Sequence, residues 1–152
     1  MSTREQLEKL VRNHRFDELR ALVKDDPGAA RFLLALTYRP EHELRAAAAR
    51  GMAIAAEYHP ELVQEMARRL VWAMNEESGT FAVTAPEVLQ AIAEDSPQIL
   101  LPLVPSLLRL ITDPRLRDPL IEVVRTVARC DPGAAVASIG RALTNCPEGA
   151  RS

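Results

Sequence analysis

The chain has 152 residues, 47% of them hydrophobic, 26% charged and only 4% aromatic. This suits one soluble globular domain, and an Ala- and Leu-rich chain poor in aromatics favours helices over strands. Nineteen basic and 21 acidic residues give a formal net charge of −2, which speaks against a nonspecific nucleic-acid binder, because such proteins carry a basic surplus to displace counterions from phosphates.

The two cysteines, Cys130 and Cys146, form no C-x-x-C and share no zinc-like spacing with histidine, so they read as buried thiols in a reducing compartment, with no metal or cofactor expected. The N-terminal Met1-Ser2-Thr3-Arg4-Glu5-Gln6 has no apolar core of a signal peptide. The longest apolar stretch, Ile99 to Ile111, is interrupted by Pro102, Pro105, Ser106 and Arg109 and is too short to span a bilayer. A cytoplasmic protein without membrane contact is the expectation.

Four prolines, Pro27, Pro60, Pro97 and Pro132, recur at spacings of 33, 37 and 35 residues. Each follows a polar residue (Asp26, His59, Ser96, Asp131), as suits a helix start, where the missing N–H matters least. In chain order, the first unit (about 5–40) places Leu19, Leu22 and Val23 before its proline and Ala30, Leu34 and Tyr38 after it. The second (about 41–78) has Met52, Ala55 and Ala56, then Val63, Ala67 and Val71. The third (about 79–113) has Leu89, Ile92 and Ala93, then Leu100, Val104 and Leu108. The fourth (about 114–148) has Val124, Val127 and Ala128, then Ala135, Ile139 and Leu143. These spacings of three and four predict one buried helical face on each side of every proline. In the third unit, Pro102 and Pro105 would each cost about 3 kcal/mol inside a helix, so a short turn at Pro97 followed by the main helix is expected. Sixteen residues before each proline stand Val11, Leu44, Phe81 and Leu116, followed by Arg12, Arg45, Ala82 and Arg117. The period is that of a stacked helical-hairpin array, and the expected fold is all-α: an α-α superhelix, a short solenoid of about four helical hairpins in one domain spanning 1–152.

Here the residues resemble a family. Glu43-Leu44-Arg45-Ala46-Ala47-Ala48 and Leu100-Leu101-Pro102-Leu103 through Asp113-Pro114 look like phrases of HEAT repeats, a likeness covering about residues 5–147. Asn75-Glu76-Glu77-Ser78-Gly79 with Ala85-Pro86-Glu87 is similar to uncharacterised bacterial HEAT-like proteins of the phycobilisome-lyase type. The resemblance implies a HEAT/armadillo-like stack in which an Arg bonds an Asp of the preceding turn, parts that would fall to Arg117 and Asp113. It specifies a fold and leaves function open.

The pattern breaks between the second and third units. Residues 75–84 form the longest connection, and the repeat Arg is missing at Ala82. Thr84 to Glu87 reads as a capping box with Pro86 in the first helical turn, and Ser78-Gly79 as a turn. Glu76 and Glu77 follow a helix C-terminus, where the macrodipole disfavours negative charge by roughly 0.3–1 kcal/mol each. Acids placed against that preference mark a candidate site for a cation or a basic partner. Trp72 lies one past an apolar position, and Arg68 and Arg69, with Arg45 and Arg50, suggest a small basic patch. His14, His42 and His59 read as surface or capping residues. No nucleophile sits beside an evident base, and no phosphate loop is present.

The expected function is therefore a non-catalytic interaction or scaffold module for another protein. It would recognise its partner through the helices after each proline and the 75–87 segment, with Asn75, Glu76, Glu77, Ser78, Glu87, Trp72 and Arg45 as candidate contacts. The alternative is a nucleic-acid-handling protein or enzyme similar to HEAT-like DNA glycosylases, or a protein similar to phycobilin lyases. The small apolar run Ala134 to Gly140 is expected to face a partner or a second copy, giving a homodimer through the C-terminal helix.

Overall fold

The computed structural model describes residues 3–76, 80–130 and 133, and among them the regular structure is all helical, with no strand. Eight α-helices follow in order: α1 (Thr3–Arg12), α2 (Phe16–Asp25), α3 (Ala29–Leu36), α4 (His42–Tyr58), α5 (Pro60–Glu76), α6 (Thr80–Asp95), α7 (Val104–Leu110) and α8 (Pro114–Cys130). Two 3₁₀ turns, Pro97–Ile99 and Leu101–Leu103, lead into α7. Among the described residues no helix is long and apolar enough to cross a membrane.

Helices α2, α4, α6 and α8 pack successively, each on the next. Helix α1 packs on α2, α3 and α4, and α5 on α4, α6 and α7. The apolar columns explain this order. Leu19, Met52 and Leu89 are fully buried, as are Val23, Ala55, Ile92, Ala93 and Val127. After the prolines, Ala30, Val63, Leu100, Ala67 and Val104 are equally buried. Each large aliphatic side chain so enclosed stabilises the fold by roughly 1.5–3 kcal/mol.

Helix α4 touches α1, α2, α3, α5 and α6. It can do so because its surface is small: Ala47, Ala48, Ala49, Gly51, Ala53, Ala55 and Ala56 are all buried. The approach is close at Gly51, where an added Cβ would stand 2.7 Å from Leu33 Cδ2 and 3.4 Å from Leu19 Cδ2.

Four side-chain hydrogen bonds join residues 35 to 37 apart in the chain. The His59 ring Nε2–H donates to the Val23 carbonyl at 2.7 Å, 36 residues away. Gln64 donates to the Ile99 carbonyl at 3.0 Å, 35 residues away, and Gln90 to the Thr126 hydroxyl at 2.9 Å, 36 residues away. Arg20 pairs with Glu57, 37 residues on.

Two local expectations change. First, the segment before Pro27 is two short helices. His14, at φ 54°, ends α1, and the Arg15 N–H bonds the Leu10 carbonyl while the His14 N–H bonds that of Val11, the Schellman pattern. Val11 thus closes α1, whereas its counterparts Leu44 and Leu116 lie in the first turns of the 17-residue helices α4 and α8. Second, residues 75–84 are mostly helical. Helix α5 runs to Glu76 and α6 starts at Thr80, so Thr84 is a buried interior residue rather than an N-cap, and Pro86 lies within the helix. The expected turn at Pro97 ahead of the main helix is present as the two 3₁₀ turns, and α7 starts at Val104. Pro105 falls in its first turn, where the ring is tolerated. Pro132 and the columns at Ala135, Ile139 and Leu143 lie outside the described residues.

Gly51→Val is expected to destabilise the protein by about 2 kcal/mol or more, because the branched side chain must displace buried Leu33. Urea unfolding of both proteins measures this, and equal midpoints would contradict the close approach.

Candidate functional site

Helix α5 turns one face toward α7. Arg68, Val71, Trp72 and Asn75 recur at the three- and four-residue steps of a single helical face. Opposite them stand Pro102 and Leu103 of the second 3₁₀ turn and Ser106, Arg109 and Leu110 of α7. Together they line an open groove of 390 Å³. Its origin is local. Pro102 and Pro105 divert the chain into 3₁₀ turns, so α7 has only seven residues to set against the 17 of α5.

Val71, Leu103 and Leu110 make an apolar floor, each buried. Trp72 stands above it with 66% of its surface exposed, the one large apolar side chain left so among the described residues. Two arginines flank it. Arg68 pairs with Glu65 at 2.8 Å, while Arg109 makes no ion pair among the described residues.

A second groove, of 360 Å³, lies on the opposite flank of α5. Arg31, Leu34 and Ala35 of α3 and Tyr38 beyond it face Met66, Arg69 and Leu70. Burial raises the Tyr38 phenol above its ordinary range. Arg69 is held 3.7 Å from Glu65, so this one carboxylate positions an arginine on each groove.

A third cavity, of 240 Å³, lies among α2, α4 and α6. Arg50 covers the Phe16 ring at 4.6 Å. At the same cavity Glu57 and Asp95 are hydrogen-bonded to each other, with Arg20 on Glu57. The Asp95 hydrogen bond, then Arg20, lowers the Glu57 carboxyl. Desolvation, then the neighbouring Glu57, raises that of Asp95. Of the two carboxyls, Asp95 is the one that binds a proton more readily. It also ends α6, where the helix dipole disfavours a negative charge. No group of three or more His, Cys, Asp or Glu side chains is placed to hold a metal ion among the described residues.

The candidate residues separate. Trp72 and Asn75 share the α5–α7 groove. Arg45 and Glu87 face each other elsewhere, at 4.0 Å between α4 and α6. Arg45 also donates to the carbonyls of Arg39 at 3.3 Å and Pro40 at 3.1 Å, so it closes the turn into α4. Its counterpart Arg117 does the same to the Ile111 carbonyl, again six residues back, at 3.1 Å. The expected Arg117–Asp113 pair is replaced. Asp113 caps α8 through the Arg115 N–H at 3.0 Å and pairs with the Arg115 guanidinium, which lowers its carboxyl. The side chain of Glu76, and Glu77 and Ser78 altogether, lie outside what the structure describes. The basic patch does not assemble, because Arg50 lies over Phe16, Arg45 in its turn, and Arg68 and Arg69 on α5.

Arg109, Ser106 and Pro102 were not legible as site residues. The one signal was register: Arg109 stands twelve residues after Pro97, as Trp72 stands twelve after Pro60. Comparison with protein-family models, curated proteins and solved structures returned no match to the chain.

Two outcomes follow from these contacts. Arg45→Ala should cost about 1 kcal/mol in urea unfolding through the lost turn bonds. Destabilisation from Arg45→Lys equal to that from Arg45→Ala would fit the same account, whereas no loss from Arg45→Ala would refute it. Asp95→Asn should stabilise the protein at neutral pH. A carboxyl raised on folding supports the fold below its unfolded pKa and loses that support as pH rises through the folded value. The advantage of the amide should therefore vanish as pH falls into the carboxylate range, which parallel melting curves from pH 3 to 7 would check.

Proposed function

We propose that the chain is a non-catalytic protein-interaction module built as a short HEAT-like solenoid. The successive packing of α2, α4, α6 and α8, and the inter-unit hydrogen bonds 35 to 37 residues apart, support the stacked arrangement. Its docking site is the groove between α5 and α7, and its partner is another protein that inserts an apolar side chain beside Trp72.

The observation that carries this reading is the exposure of Trp72, 66%, over a buried apolar floor. Covering such an indole is worth roughly 2–4 kcal/mol from the area removed from water. Tryptophan and arginine dominate the energetics of protein interfaces, and here two arginines flank one tryptophan. The nucleic-acid alternative draws on the same trio, because an aromatic among arginines can stack a base. The formal charge of −2 works against it. Nothing in the grooves favours the phycobilin-lyase-like alternative.

The test is selection of peptides from a random display library on the folded protein, read by intrinsic fluorescence. Trp72 is the only tryptophan of the chain, so its emission reports the groove alone. Selected peptides should shift that emission to the blue and bind Trp72→Ala at least about tenfold more weakly, as expected of an interface anchor. Peptides that bind both proteins equally and leave the emission unchanged would overturn the reading. A salt-dependent gel shift with a single-stranded DNA oligonucleotide should remain negative at low salt.

A further inference from the structure

We infer that the α3–α5 and α5–α7 grooves form one track for a single extended, acidic segment of the partner protein, an inference that rests on reading the α5–α7 groove as a docking site.

Helix α5 is the shared wall. Met66, Arg69 and Leu70 line one groove and Arg68, Val71 and Trp72 the other. Both linings have the same chemistry. Each offers an apolar floor and two arginines, Arg31 with Arg69 and Arg68 with Arg109. No acidic side chain lines either groove among the described residues. Glu65 is engaged with both Arg68 and Arg69. It holds two adjacent guanidinium groups, one lining each groove. Arginine recognises carboxylates through paired, charge-assisted hydrogen bonds. The cavity among α2, α4 and α6 differs, since Glu57, Glu94 and Asp95 line it beside Arg20 and Arg50. The chain's formal charge of −2 thus coexists with two grooves lined by arginines and by no acid among the described residues.

A helix with its side chains is about 10–12 Å across, so two grooves on the flanks of α5 are about that far apart. A polyproline II segment advances about 9 Å in three residues and returns to the same side. The occupant is therefore an extended segment with apolar residues at positions i and i+3 and aspartate or glutamate beside them. One apolar residue enters against Trp72 and the other against Met66 and Leu70.

The experiment uses the full chain and the random library. Selected sequences are made as synthetic peptides, each with a version in which every acid is replaced by its amide. They are titrated at low and physiological salt onto wild type, Trp72→Ala and the double variant Arg31→Ala/Arg69→Ala, whose helical content and melting are measured in parallel. Both arginines are exposed, so the double variant should melt with wild type. The expected result is enrichment of acids around two apolar residues three apart. The amide peptides and the double variant should each lose about tenfold or more in affinity, and the loss should shrink at higher salt. Peptides that require Trp72 but are indifferent to their acids and to Arg31 and Arg69 would overturn the two-groove track and leave the docking site standing. Peptides indifferent to Trp72 as well would remove both. Tighter binding of a single-stranded oligonucleotide than of any acidic peptide, or an emission shift with protein concentration alone, would also overturn the inference, assigning the track to nucleic acid or to a second copy.

Discussion

The fold depends on how closely helices can approach α4. Five helices close around it, and of the ten residues it buries six are alanine, with Gly51 close against Leu33 and Leu19. Large residues there would hold the neighbours apart by the width of a side chain, and packed interiors do not absorb such a change without strain. Most of the long side chains come from the surrounding helices, where Leu7, Leu19, Leu33, Leu89 and Ile92 are fully enclosed, and α4 adds Leu44, Met52 and Ile54. The division of labour is between one thin central helix and thick neighbours.

The site follows from a different constraint. A proline removes a backbone hydrogen bond from a helix, and where Pro102 and Pro105 fall three residues apart the chain runs through two 3₁₀ turns into a short α7. Helix α5, with no such interruption, extends past what α7 can cover. Val71, Leu103 and Leu110 are shielded, but Trp72 is left above them with solvent on most of its surface. The groove is the place where two helices of unequal length meet.

Much of the core could be read in advance, because a period near 35 residues and a step of three or four are properties of residue order alone. Val11, Leu44 and Leu116 are buried as their shared column requires, and Arg45 and Arg117 make the same turn bond. The particulars failed where local chemistry competed. Thr84-Ala85-Pro86-Glu87 has the order of a capping box, yet Thr84 is buried inside α6, whose packing on α4 and α8 outweighs the local preference. The Asp113 carboxylate takes the guanidinium two residues away, leaving Arg117 to the backbone. The groove itself was half legible. Trp72 and Asn75 share a helix face by spacing, but their partners on α7 lie some thirty residues along the chain, and spacing within one helix says nothing of what is brought opposite.

Collisional quenching of the single tryptophan in the free protein tests the central claim most directly. An indole standing open between Arg68 and Arg109 should emit as in water and be quenched by iodide more strongly than by caesium, because the arginines gather anions and repel cations, and the difference should fade as salt screens them. A blue-shifted emission resistant to both ions, or stronger quenching by caesium, would contradict an open, positively rimmed groove at Trp72.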